Sequence, residues 1–315
     1  MQDTRPARHC PTWWLLAALS VAGCATIEPQ AQSLVPTRYQ TRTGPYAVFT
    51  NFPIAADAPA IRSLQALERD IEASLGIRIA AEERPVEVYI LDDRQSFVHF
   101  LKFYYPELPP RRAFFLAQGP QRVVFTFMGD RLEEDLRHEA THALLHLALG
   151  DLPLWLDEGL AEYFEVPEGR HGVNAEHLVR LPQDLASGWR PDLVKLEALK
   201  NVRQMAPRDY RESWAWVHYF LNDSKSGKAM LLAYLADLRA SPKAPPLSER
   251  LHAAGEEAGA PLIAHLDRVC AQPIATSSPP SGATTRLQDA PIVEAPRPPM
   301  ARRGLLGRLR ALFED

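Results

Sequence analysis

Cysteine is scarce in this chain: three among 315 residues, at Cys10, Cys24 and Cys270. That scarcity excludes the stapled framework of a small disulfide-rich domain, and no closely spaced pair offers redox chemistry. Positive charge is not in surplus either, because 35 Lys and Arg stand against 39 Asp and Glu for a net charge of −4. A dedicated nucleic-acid binder is therefore not expected. The apolar run from Trp13 to Gly23 is too short to cross a bilayer. No Gly-x-Ser-x-Gly elbow, Ser-x-x-Lys or Gly-rich phosphate loop is present, which argues against serine-hydrolase and nucleotide chemistry. What remains is globular composition, 46% hydrophobic and 23% charged. The 28 prolines are too many for a uniform helical bundle and point to linkers or loop-rich stretches.

Both ends read as something other than the folded body. Arg5 and Arg8 precede the Trp13–Gly23 run, as in an export signal spanning residues 1–23. The run ends in Val21-Ala22-Gly23-Cys24, which resembles the lipobox of bacterial lipoproteins. That resemblance implies lipidation of Cys24 and an anchor in the cell envelope, on the periplasmic face of the outer membrane. Residues 24–44 are expected to be a linker. Residues 271–300 carry seven prolines among Ser, Thr, Gly and Ala, a composition unable to bury enough apolar surface to order itself. Beyond this second linker, Leu305, Leu306, Leu309, Leu312 and Phe313 fall at helical spacing among Arg302, Arg303, Arg308 and Arg310. The tail reads either as a membrane-surface or partner-docking helix, or as a frayed segment too short to hold a helix alone.

The body, residues 45–270, divides by periodicity. Tyr46–Phe49, Val86–Leu91 and Arg122–Met128 are rich in β-branched and aromatic residues and predict strands. Ile61, Leu64, Leu67, Ile71 and Leu75 repeat at helical spacing, and Gln95–Tyr104 predicts a second helix. From Arg131 onward the pattern is helical, over 131–149, 153–166, 208–221, 227–239 and about 260–270. The Ser224–Lys228 run reads as a polar turn. Strands first and helices afterwards predict an α+β fold, a small N-terminal sheet with helices followed by a helical lobe.

The chemical signal is His138-Glu139-Ala140-Thr141-His142, inside a segment whose Leu132, Leu136, Ala140, Leu144 and Leu147 already predict a helix. Residues four apart share a helix face, so both imidazoles can offer a nitrogen to one metal ion. Glu139, beside that face, is placed to take a proton from water at the metal. A catalytic zinc needs a third protein ligand and an open position. Glu158 follows sixteen residues later, on a helix reached through the turn Gly150–Pro153, which makes the two helices antiparallel neighbours. Glu162 lies four residues on, on the same face, where it can hold the other ring nitrogen of a metal histidine. His146 extends the histidine face by a turn and suits a core or supporting role. Asp157 points about 100° away from Glu158 and is the poorer ligand.

His-Glu-x-x-His followed by Trp-Leu-x-Glu-Gly-Leu-Ala-Glu-Tyr-Phe resembles the peptidase MA-like gluzincins, over residues 138–164. The resemblance implies a zincin-like fold, Zn²⁺ held by His138, His142 and Glu158, and Glu139 as general base. It also implies an oxyanion donor from the helical lobe, with Tyr210, His218 and Tyr219 as candidates and Tyr210 foremost. The interval from His142 to Glu158 is shorter than in the thermolysin and aminopeptidase branches, which bears on substrate class more than on metal binding. The expectation is a lipid-anchored zinc metallohydrolase acting on polypeptide, with strand addition near Arg122–Met128 as a way to hold it. The competing expectation is an envelope scaffold lipoprotein with a non-catalytic zinc site.

Overall fold

The computed structural model describes residues 34–79, 85–167, 169–241, 243–255 and 259–271. The export signal, Cys24 and the tail beyond residue 271 lie outside them.

Alternation of side chains along extended backbone divides each strand between two faces of one sheet. The strands are β1 (Tyr39–Thr43), β2 (Tyr46–Thr50), β3 (Val86–Leu91), β4 (Phe114–Gln118) and β5 (Gln121–Phe127), in the order β1-β2-β3-β5-β4. Val86, Val88, Ile90, Phe115 and Val124 face one core; Tyr89, Leu91, Phe114, Leu116, Val123 and Phe125 face the other. A sheet buried on both sides needs helices on both sides. Helix α1 (Pro59–Leu75) and helix α3 (Leu132–Leu149) cover the first face, and α2 (Arg94–Tyr104) covers the second with Phe97 and Phe100. The β2-β3 and β3-β5 pairs are parallel, and the outer pairs β1-β2 and β4-β5 are antiparallel.

The helical lobe follows as α4 (Leu154–Phe164), α5 (Ala175–Ala186), α6 (Leu193–Ala198), α7 (Pro207–Asn222), α8 (Lys225–Ala240), α9 (Leu247–Ala253) and α10 (Ala260–Cys270). The α+β architecture expected from the element order is the one observed: a small five-stranded mixed sheet, then helices. Three expectations need correction. β1 lies inside the stretch read as linker, because Tyr-Gln-Thr-Arg-Thr carries no apolar alternation to betray an edge strand. The Arg122–Met128 strand is β5, an interior strand, so it offers no free edge; the edge is β4. Ser224–Lys228 is the start of α8, with the Ser224 hydroxyl accepting the Gly227 N–H as an N-cap.

Helix α4 packs closely on α7. A Cβ added at Gly159 would stand 2.5 Å from the Ser213 carbonyl oxygen and 2.9 Å from Val217 Cγ2, so only glycine permits this approach. At the far end of α7, a buried chain runs from His218 Nδ1 to His265 Nε2 at 2.9 Å and from His265 Nδ1 to Asp223 Oδ1 at 3.0 Å, tying α7 to α10.

Two predictions test this packing. Gly159→Ala is expected to destabilise the protein by about 2 kcal/mol through overpacking, lowering the thermal midpoint by roughly 4–8 °C in calorimetry. The second concerns acid. Burial lowers the His218 pKa to about 3, below its unfolded value, so its stabilising contribution is complete above about pH 6.5 and is lost as pH falls towards 3. Denaturant unfolding between pH 6.5 and 5 should therefore show a steeper loss of stability in the parent than in His218→Asn, by up to about 1.4 kcal/mol per pH unit. Equal slopes would remove His218 from the titration.

Candidate metal centre

The centre is assembled by the α3–α4 hairpin. Gly150 to Pro153 turn the chain between the helices, and the i,i+4 spacing puts His138 and His142 on the α3 face turned towards α4. Their Nε2 atoms are 3.4 Å apart, and Glu158 Oε2 on α4 is 3.9 Å from each. A triangle of those sides has its centre about 2.2 Å from every corner, close to the ~2.0–2.2 Å bonds of a divalent ion to imidazole and carboxylate. These three residues are therefore within reach of one metal ion.

The electrostatics fit a cation. Glu158 is fully buried, and neither carboxylate oxygen has a hydrogen-bond partner among the described residues. Burial pushes its pKa up to about 7, against the pull of His142 and His138. A buried anion without protein donors is costly unless a positive charge meets it. Glu139 is close enough for its charge to act on both His138 and Glu158.

The far nitrogens of both histidines face carboxylates, and that of His138 is hydrogen-bonded to one. His138 Nδ1 meets Glu165 Oε2 at 3.0 Å, and Glu165 Oε1 accepts from Asn174 Nδ2 at 2.7 Å. His142 Nδ1 meets Asp157 Oδ2 at 3.1 Å. Burial would lower the pKa of both imidazoles, yet the carboxylates around them raise both. Asp157, though buried, is held well below the usual carboxylate range by His142 and His146.

Glu162 comes within 4.8 Å of His138 and Glu165 and is shared with a second histidine. Its Oε2 pairs with His177 Nε2 at 2.8 Å, because α5, not foreseen from the sequence, brings His177 against α4. His138 Nδ1 itself is hydrogen-bonded by Glu165, one turn further on, and the 100° offset of Asp157 from Glu158 turns it to the Nδ1 side of His142. The sequence did carry a signal for Glu165: Glu158, Glu162 and Glu165 follow the 4-then-3 rhythm of one helix face.

His146 is not part of the triangle. Its Nε2 lies 3.5 Å from Asp157 Oδ2, and its ring sits 5.2 Å from Phe115 of β4. Phe115 also stacks over His142 at 6.3 Å, so the edge strand borders the metal helix. Of the oxyanion candidates, His218 is engaged with His265, and Tyr219 packs edge-on against the same ring. Tyr210, at the start of α7, has a buried hydroxyl without a hydrogen-bond partner among the described residues. Burial raises its pKa, and the charges of Glu158 and Glu162 add to the rise.

A family model described as a protein of unknown function (DUF1570) matches residues 134–245, about a third of the chain. The matched stretch contains the three candidate ligands, Glu139, Asp157, Glu165 and Tyr210. No curated protein matches the chain.

Elemental analysis of the purified chain after incubation with divalent metal should find near one ion per chain in the parent and none in His142→Ala. Asp157→Asn should bind the same ion with an affinity about 10–100-fold weaker, as loss of an imidazole-orienting carboxylate does elsewhere. Full metal content in His142→Ala would dismiss the triangle.

Proposed function

We propose that the chain is a zinc-dependent peptidase of the cell envelope, with Zn²⁺ held by His138, His142 and Glu158. The observation that carries this reading is the coincidence of a three-atom metal triangle with a glutamate, Glu139, next to it on α3. A purely structural site has no need of that glutamate and closes its fourth position with a protein ligand. Two imidazoles and one carboxylate are the donor set of catalytic zinc. When bound, zinc supplies Lewis-acid polarisation of a carbonyl and acidification of water.

The chain's own groups divide the rest of the work. Glu139 takes the proton from the attacking water and returns it to the leaving amine. The Tyr210 hydroxyl, raised in pKa and so kept protonated, donates to the oxygen that gains negative charge as the carbonyl is attacked. Glu165 and Asp157 keep the two imidazoles turned with Nε2 inward. β4 has no strand partner on its outer side among the described residues and runs beside α3, so an extended polypeptide pairing with it would lie along the centre. The Val21–Cys24 segment supports export and a lipid anchor at Cys24.

Glu139→Gln separates the base from the metal. Zinc content should stay at the parental level, while turnover of a fluorogenic peptide library falls by about 10²–10⁴-fold. Retained turnover in that variant refutes the assignment of the base. A parent that binds zinc yet cleaves no peptide would favour a scaffold with a non-catalytic site.

A further inference from the structure

A cavity of about 890 Å³ is lined in part by Glu165 and Arg137, the residues that touch and precede His138. Its walls are the loop after β2, the loop between β5 and α3, and the loop between α4 and α5. It therefore sits outside the carboxyl ends of β2 and β5, where open sheets with parallel strands place their ligands. Its volume is that of a ligand site, not a packing defect. One part of the lining is apolar and half-buried or exposed: Phe52, Pro53, Ile54, Val166, Pro167 and Val173. The charged part is acidic on balance, five carboxylates against three guanidiniums. Arg137 is already paired with Asp70 at 2.6 Å, Arg131 with Glu134, and Glu165 is bonded to His138 and Asn174, which leaves Asp130, Glu133 and Glu176 against Arg170. Asp130, Glu133 and Glu176 stand exposed at the rim.

The occupant of such a site must be apolar on one side and basic on the other. Residues 301–315 of this chain have that chemistry, with five large apolar residues at helical spacing and four arginines against Glu314 and Asp315. They are also within reach. Helix α10, after which the tail departs, packs on α5, and α5 begins at the cavity wall. The thirty residues 271–300 span roughly 30 Å as a flexible chain and up to about 90 Å when extended.

We propose that this cavity is the docking site of the chain's own C-terminal segment, residues 301–315. Leu305, Leu306, Leu309, Leu312 and Phe313 enter against the Phe52–Ile54 and Val166–Pro167 walls, and the arginines meet the rim carboxylates. Docking does not depend on the peptidase reading. If that reading also holds, the tail rests against Glu165, the carboxylate that turns His138 towards the metal, and so adjusts the centre from behind.

Hydrogen exchange on the full chain carrying Cys24→Ser tests the docking. The parent is compared with a tail variant, Arg302→Glu, Arg303→Glu, Arg308→Glu and Arg310→Glu, and with a cavity variant, Asp130→Lys and Glu133→Lys. Thermal midpoints establish that both variants remain folded. Amides of residues 129–134 and 169–176 should exchange at least fivefold more slowly in the parent than in either variant, equally at protein concentrations tenfold apart. Equal exchange in all three chains overturns the proposal. So does protection that grows with concentration, which would mean a second copy is the occupant. A tail that binds phosphatidylglycerol vesicles while the cavity amides exchange alike in parent and tail variant also overturns it, in favour of a membrane surface.

Discussion

The carboxylate of Glu158 is the constraint around which the lobe is organised. It is fully buried on α4 without a protein donor, and a lone ionised carboxylate in such a place costs several kcal/mol. Two routes relieve the cost: the group keeps its proton, or a cation arrives. The rise of its pKa to about 7 reflects the first, and the two Nε2 atoms facing it supply the geometry for the second. Both routes require α3 and α4 to stay in register. Arg137, directly before His138, secures that register from a buried position. It donates to the Phe164 and Val166 carbonyls at 2.7 and 3.1 Å, closing the C-terminal end of α4, and to Asp70 of α1 at 2.6 Å.

Helix α4 is buried on nearly every side, so each of its residues is assigned to a different neighbour. Trp155 and Leu156 enter the core, Asp157 turns to His142, Glu158 to the triangle, and Gly159 to the backbone of α7. Such a helix carries no amphipathic stripe, because no face of it meets water. The order Trp-Leu-Asp-Glu-Gly is therefore a list of contacts set by the 100° step of the helix. The same step explains why Asp157, the poorer ligand, is the better clamp.

How much of this was legible beforehand depended on how local each feature is. The His138–His142 pair and the turn to Glu158 are i,i+4 spacing and a short connection, and both survive intact in the structure. β3 and the longer helices were equally plain, since Val86–Leu91 is rich in β-branched and aromatic residues and α1 repeats its apolar residues at 61, 64, 67, 71 and 75. Tertiary partners were not legible. Glu162 was expected on a metal histidine, but His177 comes from α5, whose helical pattern is interrupted by Pro182. β4 escaped because Phe114-Phe115-Leu116 is a continuous apolar run, buried on both faces, with no alternation to read. The edge of the sheet was consequently assigned to its hairpin partner β5.

The sub-ångström fit of the triangle follows from building it on helices. Four-coordinate bonds of about 2.1 Å set ligand atoms roughly 3.4 Å apart, the separation the two imidazoles already have. His138 is hydrogen-bonded from behind by Glu165, and His142, fully buried, has Asp157 at 3.1 Å behind its ring, so both side chains are confined before an ion arrives. Glu158 stands 3.9 Å from each, about half an ångström farther, and its oxygens have no partner to hold them there. The adjustment on metal binding thus falls on one side-chain torsion of one unpinned residue. The backbone beneath it is set by Gly159 and the α7 carbonyl, and this division between two confined imidazoles and one adjustable carboxylate would let a buried site close on an ion without moving a helix.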